Sequence, residues 1–401
     1  MSESKKVRLG EVCQIFGRIG FRGYTINDFV ESKDQGAISL SPTNIIDGEI
    51  NIDKCSYISW NKYYESPEIM ICKNDILIVK TGSSFGRTAI VKEVKHQMTI
   101  NPQFVVLKNI NINPIYLSYY IKSKSFQNQI SSIIVGSAIP TLSQKNLANL
   151  VLKIQDSQTQ YNIAGILSSL DAKIETNNKL NEKLEEMAQA IFKSWFVDFE
   201  PFKDQPFHKT ELGMIPEGWE GGSLSDIATI TMGQSPSGTS YNENGEGIIF
   251  YQGRTEFGFR FPSVRLYTTA PSRFSDVGST LMSVRAPVGD INMTLSRCCI
   301  GRGVASIKSN CKCNSYVYYL MKSLKKRFDV YNGEGTVFGS VGRDVLRGMC
   351  ITIPPQSLVS DFEMIVSKID ERIKTNELES QRLASLRDTL LPRLMSGEIK
   401  I

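Results

Sequence analysis

The chain has 401 residues, enough for two or three domains that each bury a hydrophobic core. Its hydrophobic content of 41% and mean hydropathy of −0.17 are typical of a globular protein, and no apolar run reaches the about 18 residues that span a bilayer. The net charge of +5 permits an acidic partner without requiring one, and strongly basic nucleic-acid-binding proteins usually exceed it.

The histidines and cysteines are few and scattered. The two histidines and eight cysteines form no CxxC pair, so a zinc site is not predicted, although the CKC motif at Cys311 and Cys313 is a weak exception. Unpaired cysteines favour a reducing compartment. The polar N-terminus, with no apolar segment behind it, shows no secretory signal. We therefore expect a cytoplasmic protein.

Residues 1–155 are predicted to form a mixed α/β domain. Short apolar runs between turn-forming residues predict strands, and a helical pattern follows near residues 114–130. The strand candidates are ILIVK (76–80), TAIV (88–91) and FVVLK (104–108).

A long helix is predicted within residues 156–197, where Ser157 and Gln160 match a capping box at its start. At 1.5 Å per residue, roughly 40 residues extend about 60 Å, which favours a coiled coil or helical spacer over an ordinary globular helix. Residues 198–217 are rich in proline and charge without periodicity, and they are predicted to be a linker.

Residues 218–355 are predicted to form a second mixed α/β domain, with strands at TLMSV, VASIK and CITI and a helix at 314–328. A basic cluster on that helix is interpreted mainly as a solvated helix face; it consists of Lys322, Lys325, Lys326 and Arg327. Residues 356–401 follow Pro354-Pro355 and are predicted to be a second long helix that ends near Gly397.

The second half of the sequence repeats the first. DAKIETN at 171–177 aligns with DERIKTN at 370–376 at a shift of 199, and YLSYYIKS at 116–123 aligns with YVYYLMKS at 316–323 at a shift of 200. Towards the N-terminus the shift rises to 215, so the second copy has lost about 16 residues in loops, where variation is common. Two copies of one domain-plus-helix unit predict a pseudo-symmetric protein that suits a two-part target.

Both long helices show heptad series that are apolar at the ends and polar in the middle. A buried polar residue in such a seam costs stability but fixes the register of the helices. If the helices pair antiparallel, Asn177 and its equivalent Asn376 should lie close together; the alternative is that both face solvent. The residues expected at the seam are Leu170, Ile174, Asn177, Leu184, Ile369, Ile373, Asn376 and Leu383.

No motif predicts catalysis. NPQF at 101–104 resembles the Asn/Asp-Pro-Pro-Tyr/Phe loop of adenine amino-methyltransferases, but it lacks the second proline and becomes GRGV at 301–304 in the repeat. The chain has no GxxxxGK[ST] phosphate loop, and TGSSFGRT around Gly82 and Gly86 is better explained as a turn. We therefore expect no catalytic residue, no metal site and no cofactor bound by this chain.

Polar loops at matching places in both copies are the positive signal. Thr81–Arg87 aligns with Arg285–Asp290, and Ser41–Asn44 aligns with Gln252–Thr255. Their residue types hydrogen-bond to base edges and phosphates, although any one loop could be a solvated turn. The candidate DNA-binding residues are Ser41, Thr43, Asn44, Lys80, Thr81, Ser83, Ser84, Arg87, Ser137, Thr141, Gln144, Gln252, Arg254, Thr255, Arg285, Arg302 and Arg343.

Five strings, in their order and together with the duplicated helices, are informative. They are ELGMIPEGW (211–219), MGQSPSGTSYNENGEGIIFYQGRTEFG (232–258), SVRAPVGDIN (283–292), CCIGRG (298–303) and, from the repeated helix, SWFVDFEPF (194–202). With these strings the chain resembles, over essentially its whole length, the specificity subunit of type I restriction–modification enzymes, HsdS.

The resemblance implies an α+β protein with two mixed α/β target-recognition domains, each binding one half of a bipartite DNA site. Two long antiparallel coiled-coil helices would join them in a pseudo-two-fold internal repeat. Pro140 becomes Gly339 in the second copy, so the loops there should differ in shape.

The resemblance also implies partners. The helices would set the gap between the half-sites and dock two modification subunits, which bind S-adenosylmethionine and methylate adenine. Restriction subunits, which use ATP and Mg, would join them, and no membrane is involved. Three alternatives remain: a stand-alone methyltransferase or nuclease, a coiled-coil scaffold without a DNA role, and a specificity subunit of a methylation-only system.

Overall fold

The computed structural model describes residues 5–46, 48–133, 142–332 and 339–401. The chain divides into two compact units, of which the first comprises Met1–Ile174 and Gln381–Ile401 and the second comprises Glu175–Ser380. Each unit contains one mixed α/β domain together with a segment of each long helix.

The first unit contains short strands and helices followed by one long helix, α6, which continues into the second unit. The strands are β1 (Lys5–Arg8), β2 (Gln14–Phe16), β3 (Phe29–Val30), β4 (Gly36–Leu40), β5 (Ile45–Ile46), β6 (Glu49–Ile50), β7 (Ser56–Ser59), β8 (Ile76–Val79), β9 (Thr88–Ile90), β10 (Met98–Ile100), β11 (Phe104–Lys108) and β12 (Val151–Ile154). The helices are α1 (Leu9–Val12), α2 (Trp60–Tyr64), α3 (Pro114–Lys122), α4 (Lys124–Ile133), α5 (Gln144–Ala148) and α6 (Ser157–Phe196).

Two four-stranded sheets form this domain. One has the order β10-β4-β7-β3, with β10 and β4 parallel, and the other has the antiparallel order β2-β11-β8-β9. In the second sheet, Ile76 and Ile78 of β8 face a core formed with α3, α4 and α5, while Leu77 and Val79 face the first sheet. Because alternate side chains of β8 are buried on opposite faces, the whole run ILIV is apolar.

The second unit repeats this arrangement. Its strands are β13 (Phe207–Thr210), β14 (Gly213–Pro216), β15 (Glu220–Ser223), β16 (Ala228–Met232), β17 (Tyr241–Asn242), β18 (Ile248–Tyr251), β19 (Leu266–Thr268), β20 (Phe274–Ser275), β21 (Thr280–Ser283), β22 (Ile291–Met293), β23 (Cys298–Ile300), β24 (Val304–Ser309) and β25 (Cys350–Ile353). Its helices are α7 (Leu224–Ile227), α8 (Asn314–Ser323), α9 (Lys325–Phe328), α10 (Arg343–Arg347) and α11 (Gln356–Ser396), the last of which continues into the first unit.

The sheets of the second unit have the orders β16-β24-β21-β22 and β17-β19-β18-β23-β20. Strands β18 and β23 are parallel, as their equivalents β4 and β10 are in the first unit. Leu281 and Val304 face the other sheet, whereas Met282 and Ala305 face α8 and the long helices. The two copies therefore share one architecture as well as one sequence pattern.

Residues 198–217, predicted to be a linker, contain a hairpin of β13 and β14. Ile215 of β14 is buried, and the rings of Phe199 and Phe202 pack edge-on against Trp219 at centroid distances of 5.1 and 5.7 Å. Strands of four residues give too short a pattern to recognise, and tertiary packing stabilises this hairpin.

The start of α6 differs from the predicted capping box. The carboxylate of Asp156 accepts hydrogen bonds from the backbone N of Thr159 at 3.0 Å and from its hydroxyl at 2.7 Å. The side-chain oxygen of Gln160 accepts from the backbone N of Asn113 at 3.1 Å, whereas a capping box would have it accept from the backbone N of Ser157. The capping-box prediction is therefore wrong, because aspartate caps a helix as well as serine does.

Within the second unit the two long helices run antiparallel. Phe192 of α6 packs on Phe362 of α11 with ring centroids 5.7 Å apart, and Asn177 bonds to the hydroxyl of Ser380 at 3.3 Å. Residue numbers therefore increase along α11 where they decrease along α6, which is the order of an antiparallel pair. In the first unit, Arg387 of α11 pairs with Asp171 of α6 at 2.6 Å.

Asn177 and Asn376 are in contact, as their equivalent positions in the repeat predicted. The amide of Asn177 donates to the backbone oxygen of Asn376 at 3.4 Å, and the amide of Asn376 donates to the side-chain oxygen of Asn181 at 2.8 Å. Each of the two is 1% exposed, which excludes the solvent-facing alternative. These bonded amides favour one register of the helices, since a shifted register would leave them buried without partners.

Replacing Asn376 with alanine is expected to destabilise the chain by about 1–3 kcal/mol, because the side-chain oxygen of Asn181 would stay buried without a donor. Urea unfolding of the full chain measures this difference. The matched control is Asn178→Ala, which removes an exposed asparagine of α6, the helix that carries Asn181, and should change stability by less than about 0.5 kcal/mol. If the two variants were equally stable, the hydrogen bond from Asn376 to Asn181 would not contribute to stability.

Candidate nucleic-acid interface

In the first unit, the loops that follow β4, β8 and β10 lie side by side. The backbone N of Asn101 bonds to the oxygen of Leu40 at 3.0 Å, and the N of Lys80 bonds to the oxygen of Gln103 at 2.8 Å. Leu142, just before α5, bonds to the oxygen of Lys80 at 3.0 Å. Four segments distant in sequence therefore meet at one end of the two sheets.

The second unit uses the same scheme at equivalent positions. The N of Gly301 bonds to the oxygen of Tyr251 at 2.8 Å, and the N of Val284 bonds to the oxygen of Gly303 at 2.9 Å. Val341, just before α10, bonds to the oxygen of Val284 at 3.0 Å. The backbone of the loop cluster is thus common to both copies, while the side chains on it differ.

A cleft of about 760 Å³ opens beside this cluster in the first unit. Three of the predicted DNA-binding residues, Thr43, Ser84 and Arg87, line it. Lys122 at the end of α3 and Arg387 of α11 contribute cations to the lining, and Asp171 contributes a carboxylate. Loops of the domain and a segment of a long helix therefore form one concave surface, which we call the first cleft.

The second unit has an equivalent cleft of about 750 Å³, which we call the second cleft. The predicted residues Arg254, Thr255 and Arg285 line it, together with Lys322 of α8 and Lys325 of α9. Hydroxyl groups outnumber guanidinium groups among the predicted residues of the first cleft, and the reverse holds in the second. The two surfaces therefore differ in the hydrogen-bond groups that they present.

In each cleft, charge pairing leaves one arginine without an ion pair among the residues that the structure describes. In the second cleft, Arg254 and Lys325 both pair with Asp290, Lys325 at 2.7 Å. Burial alone would raise the pKa of Asp290, but the bonds from Lys325 and Arg254 outweigh burial and lower it. Arg285 and, in the first cleft, Arg87 are exposed and form no ion pair with any residue that the structure describes. Both guanidinium groups can therefore bind an external acceptor.

Asn44 cannot serve as predicted. It is 3% exposed, its oxygen accepts from the backbone N of Ser41 at 2.9 Å, and its amide donates to the backbone oxygens of Asn51 and Lys54 at 3.0 and 2.9 Å. Its side chain holds the loop after β4 in shape and leaves no free amide hydrogen for a base.

Ser137 and Thr141 fall outside the described residues. The other remaining candidates line neither cleft. Gln144 and Arg343 begin α5 and α10. Those in loops are Ser41, Lys80, Thr81 and Ser83 in the first unit, and Gln252 and Arg302 in the second.

The sequence prediction missed the cationic side chains that the helices contribute. Lys122 and Lys322 end the repeated strings YLSYYIK and YVYYLMK, so their equivalent positions were a usable signal. Lys325 had been interpreted as part of a solvated face, and nothing local marked Arg387. The helix-borne lysines became recognisable only when the structure placed them beside the loops.

A buried ionic cluster joins the second domain to both long helices of its unit. Arg260, from the loop before β19, is 0% exposed and pairs with Glu185 of α6 and with Asp370 of α11, the latter at 2.8 Å. Its guanidinium group also stacks on the ring of Tyr318, 4.0 Å from the centroid. The hydroxyl of Tyr319 lies 3.1 and 3.2 Å from the two carboxylates.

The pKa values of the two carboxylates of this cluster shift in opposite directions. Burial raises the pKa of Asp370 above its ordinary value despite Arg260. Burial also acts on Glu185, but Arg260 and Lys322 outweigh it and lower the pKa of Glu185. Both carboxylates form ion pairs with Arg260.

The two cysteines of the CKC motif differ in exposure but lie close together. Cys311 of the CKC motif is exposed, and the sulfur of buried Cys313 lies 3.6 Å from the backbone oxygen of Cys311. Within the described ranges, no three His, Cys, Asp or Glu side chains are grouped to hold a metal ion. No helix in those ranges is long and apolar enough to cross a membrane.

Comparison with known proteins gives consistent matches over both copies. The family model described as type I restriction modification DNA specificity domain matches residues 1–186 and 216–388. The putative type I restriction enzyme MjaX specificity subunit of Methanocaldococcus jannaschii is 32% identical over 369 residues, which cover 89% of this chain and 86% of that protein. The type I restriction enzyme HindI specificity subunit of Haemophilus influenzae is 25% identical over 411 residues, covering 82% and 87%.

The fold is also similar to a solved structure. The S subunit of a type I restriction–modification system from M. genitalium superposes with a TM-score of 0.59 at 16% identity, over 97% of this chain and 95% of that one. At this identity the likeness concerns the fold alone.

Proposed function

This chain belongs to the family of type I restriction modification DNA specificity proteins, and we propose that each of its two domains binds one half of a bipartite DNA site. The cleft and loop cluster of each domain would contact the bases and phosphates of its half-site. Arginine pairs with guanine through two hydrogen bonds, and serine and threonine hydroxyls bond to several bases.

One observation carries this proposal: the two loop clusters share a backbone scheme but differ in side chains. Thr43, Ser84 and Arg87 line the first cleft, and Arg254, Thr255 and Arg285 line the second. Loops that vary on a constant scaffold are typical of recognition surfaces. Different donors in the two clefts support two half-sites of different sequence.

The long helices would set the gap between the half-sites, because a paired helix holds a distance that a flexible linker does not. They would also dock two modification subunits, which methylate adenine with S-adenosylmethionine, while this chain supplies no catalytic group. The relatives are named as specificity subunits of type I restriction enzymes, which favours a complex that includes ATP- and Mg-dependent restriction subunits over a methylation-only system.

The variant Arg285→Ala tests the proposal. Because Arg285 has no ion pair to lose in the described chain, its removal should leave the fold intact and affect one half-site only. Loss of a bidentate contact to a base costs about 1–3 kcal/mol, which is roughly a 5- to 150-fold loss of discrimination at that base. Methylome sequencing of cells that carry the variant with its modification subunit should show a relaxed base in one half of the motif.

Arg297→Ala is the matched control. Arg297 is exposed on the same domain, but it precedes β23 and its guanidinium group stacks on Phe274, whereas the loop cluster follows the other end of that strand. It should leave the methylated motif unchanged. A motif relaxed in both halves, or in neither, would contradict recognition of one half-site by the second domain.

Exchange of residues 1–155 for the corresponding domain of a relative separates this proposal from its competitors. We expect one half of the motif to change and the other half to persist. A scaffold without a DNA role predicts no change, and a stand-alone methyltransferase predicts methylation without any partner subunit.

A further inference from the structure

Lys122 is a cation in the lining of the first cleft. It ends α3, is partly buried, and shares the cleft lining with Thr43, Ser84 and Arg87. Its ammonium group lies over Gly48, where an added Cβ would come within 3.0 Å of it. A side chain at position 48 would therefore obstruct the ammonium group.

The carboxylates that face Lys122 are already engaged. Asp171 accepts from Arg387 at 2.6 Å and from the hydroxyl of Tyr119, and Glu49 pairs with Lys92 at 2.9 Å. Lys122 itself forms no ion pair or hydrogen bond with any residue in the described ranges, and its nearest aromatic ring, Tyr119, is 5.8 Å away. Its charge is thus not compensated by a direct contact.

Lys322, the equivalent of Lys122 in the second unit, is paired with a carboxylate. Lys322 also lines its cleft, but its ammonium group lies 2.5 Å from a carboxylate oxygen of Glu185. The position of Glu185 is taken by Ala384 in the repeat, at the shift of 199 that relates the helices. The two copies therefore hold one lysine each at the same place, one of them neutralised and the other not.

We propose that Lys122 binds a backbone phosphate of the DNA half-site in the first cleft, and that Lys322 makes no such contact. An ammonium group is a compact charge with three donors and no acceptor, so it suits a phosphate better than a base edge with mixed donors and acceptors. The hydroxyls of Thr43 and Ser84 offer further donors to the same phosphate or its neighbour. This inference rests on the proposed function and adds a sequence-independent contact to it.

Burial supports the same site. It lowers the pKa of Lys122 below its ordinary value, because the charged form loses hydration without gaining a partner. A bound phosphate would compensate that loss. The lowered pKa and the geometry of the cleft together support an anion-binding role for Lys122.

The test compares Lys122→Gln with Lys322→Gln in the complex of the full chain and its modification subunit. Binding to a duplex with the methylated motif and to a scrambled duplex is measured by fluorescence anisotropy between 50 and 200 mM salt. Each phosphate contact contributes about 0.9 to the slope of log K against log salt. Lys122→Gln should flatten the slope by about 0.9 and weaken binding to both duplexes about three- to tenfold, whereas Lys322→Gln should keep the wild-type slope.

Lys122→Arg should preserve the wild-type slope, and Lys122→Met serves as a second charge-removing variant if the glutamine variant folds poorly. An unchanged slope in both charge-removing variants would overturn the inference, as would an equal flattening by Lys322→Gln. Failure of the proposed function has a different signature. A wild-type complex that binds the motif and scrambled duplexes equally would refute sequence recognition, whatever Lys122 does to the salt slope.

Discussion

Replacing Arg260 with alanine is expected to destabilise the second unit by about 3–5 kcal/mol, the cost of leaving buried charges without their partner. The carboxylates of Glu185 and Asp370 would stay buried with the guanidinium group gone. Lys322 could still pair with Glu185, but Asp370 would lose its ion pair and keep the hydrogen bond from the hydroxyl of Tyr319. For a unit of this size the midpoint of unfolding should fall by about 10 °C.

Tryptophan fluorescence measures this loss within the full chain. Trp60 lies in the first unit, while Trp195 and Trp219 lie in the second, so a Trp60→Phe background reports on the second unit. The control is Arg273→Ala, which removes an exposed arginine of the same domain and should alter stability by less than about 0.5 kcal/mol.

A second substitution separates charge from packing. In the Arg260→Ala background, Asp370→Asn should restore part of the lost stability, because it removes the buried carboxylate that has lost its ion pair. If Arg260→Ala cost no more than Arg273→Ala, the cluster would contribute nothing to stability. If Asp370→Asn made the variant still less stable, the loss would come from the cavity left by the arginine side chain.

Periodic features of the fold were predictable from the sequence because they depend on local pattern. The runs at β8, β9 and β11 were recognisable from apolar side chains between turns, and the helices from heptad spacing over 40 and 41 residues. The contact of Asn177 with Asn376 followed from the repeat, since equivalent residues of antiparallel helices meet near their shared midpoint. Alignment of the two copies also identified polar loops, and residues of these loops line the two clefts.

Features that depend on distant contacts were not predictable. Arg260 lies 75 and 110 positions from the carboxylates that it binds, and nothing around it in sequence marks it as buried. Asn44 looked like a base-binding residue because its type suits adenine, but its amide is consumed by two backbone oxygens. Residue type alone does not show whether a polar group faces its own backbone or a ligand.

In both units a tyrosine of the domain bonds to an aspartate of a long helix, but the arginine that pairs with this aspartate comes from a different element in each unit. The hydroxyl of Tyr119 donates to Asp171 in the first unit, and that of Tyr319 bonds with Asp370 in the second. Arg387 of α11 pairs with the first aspartate, whereas Arg260 of the domain pairs with the second. The tyrosine–aspartate bond therefore persists while the source of the cation has changed, as expected where helix attachment is constrained and loops are free to vary.

Lengthening both long helices by seven residues is expected to change the spacing of the DNA half-sites. The insertions belong between Ile174 and Glu175 and between Ser380 and Gln381, where both helices pass from one compact unit to the other. Contacts inside each unit are then preserved. Seven residues turn a helix through nearly two full turns, so the seam continues with a rotation of only about 20°.

A heptad adds about 10 Å to each helix, which corresponds to at most about three base pairs at about 3.4 Å each. Methylome sequencing should therefore show the same two half-sites separated by a longer spacer, with methylation at the original spacing lost. An insertion in α6 alone is the control, because α6 then shifts against an unlengthened α11 and the Asn177–Asn376 and Asp171–Arg387 contacts cannot both form. This variant should lose stability instead of recognising a new spacer. If the double insertion methylated the original motif, the helices would not set the distance between the half-sites, and that distance would have to come from the modification subunits.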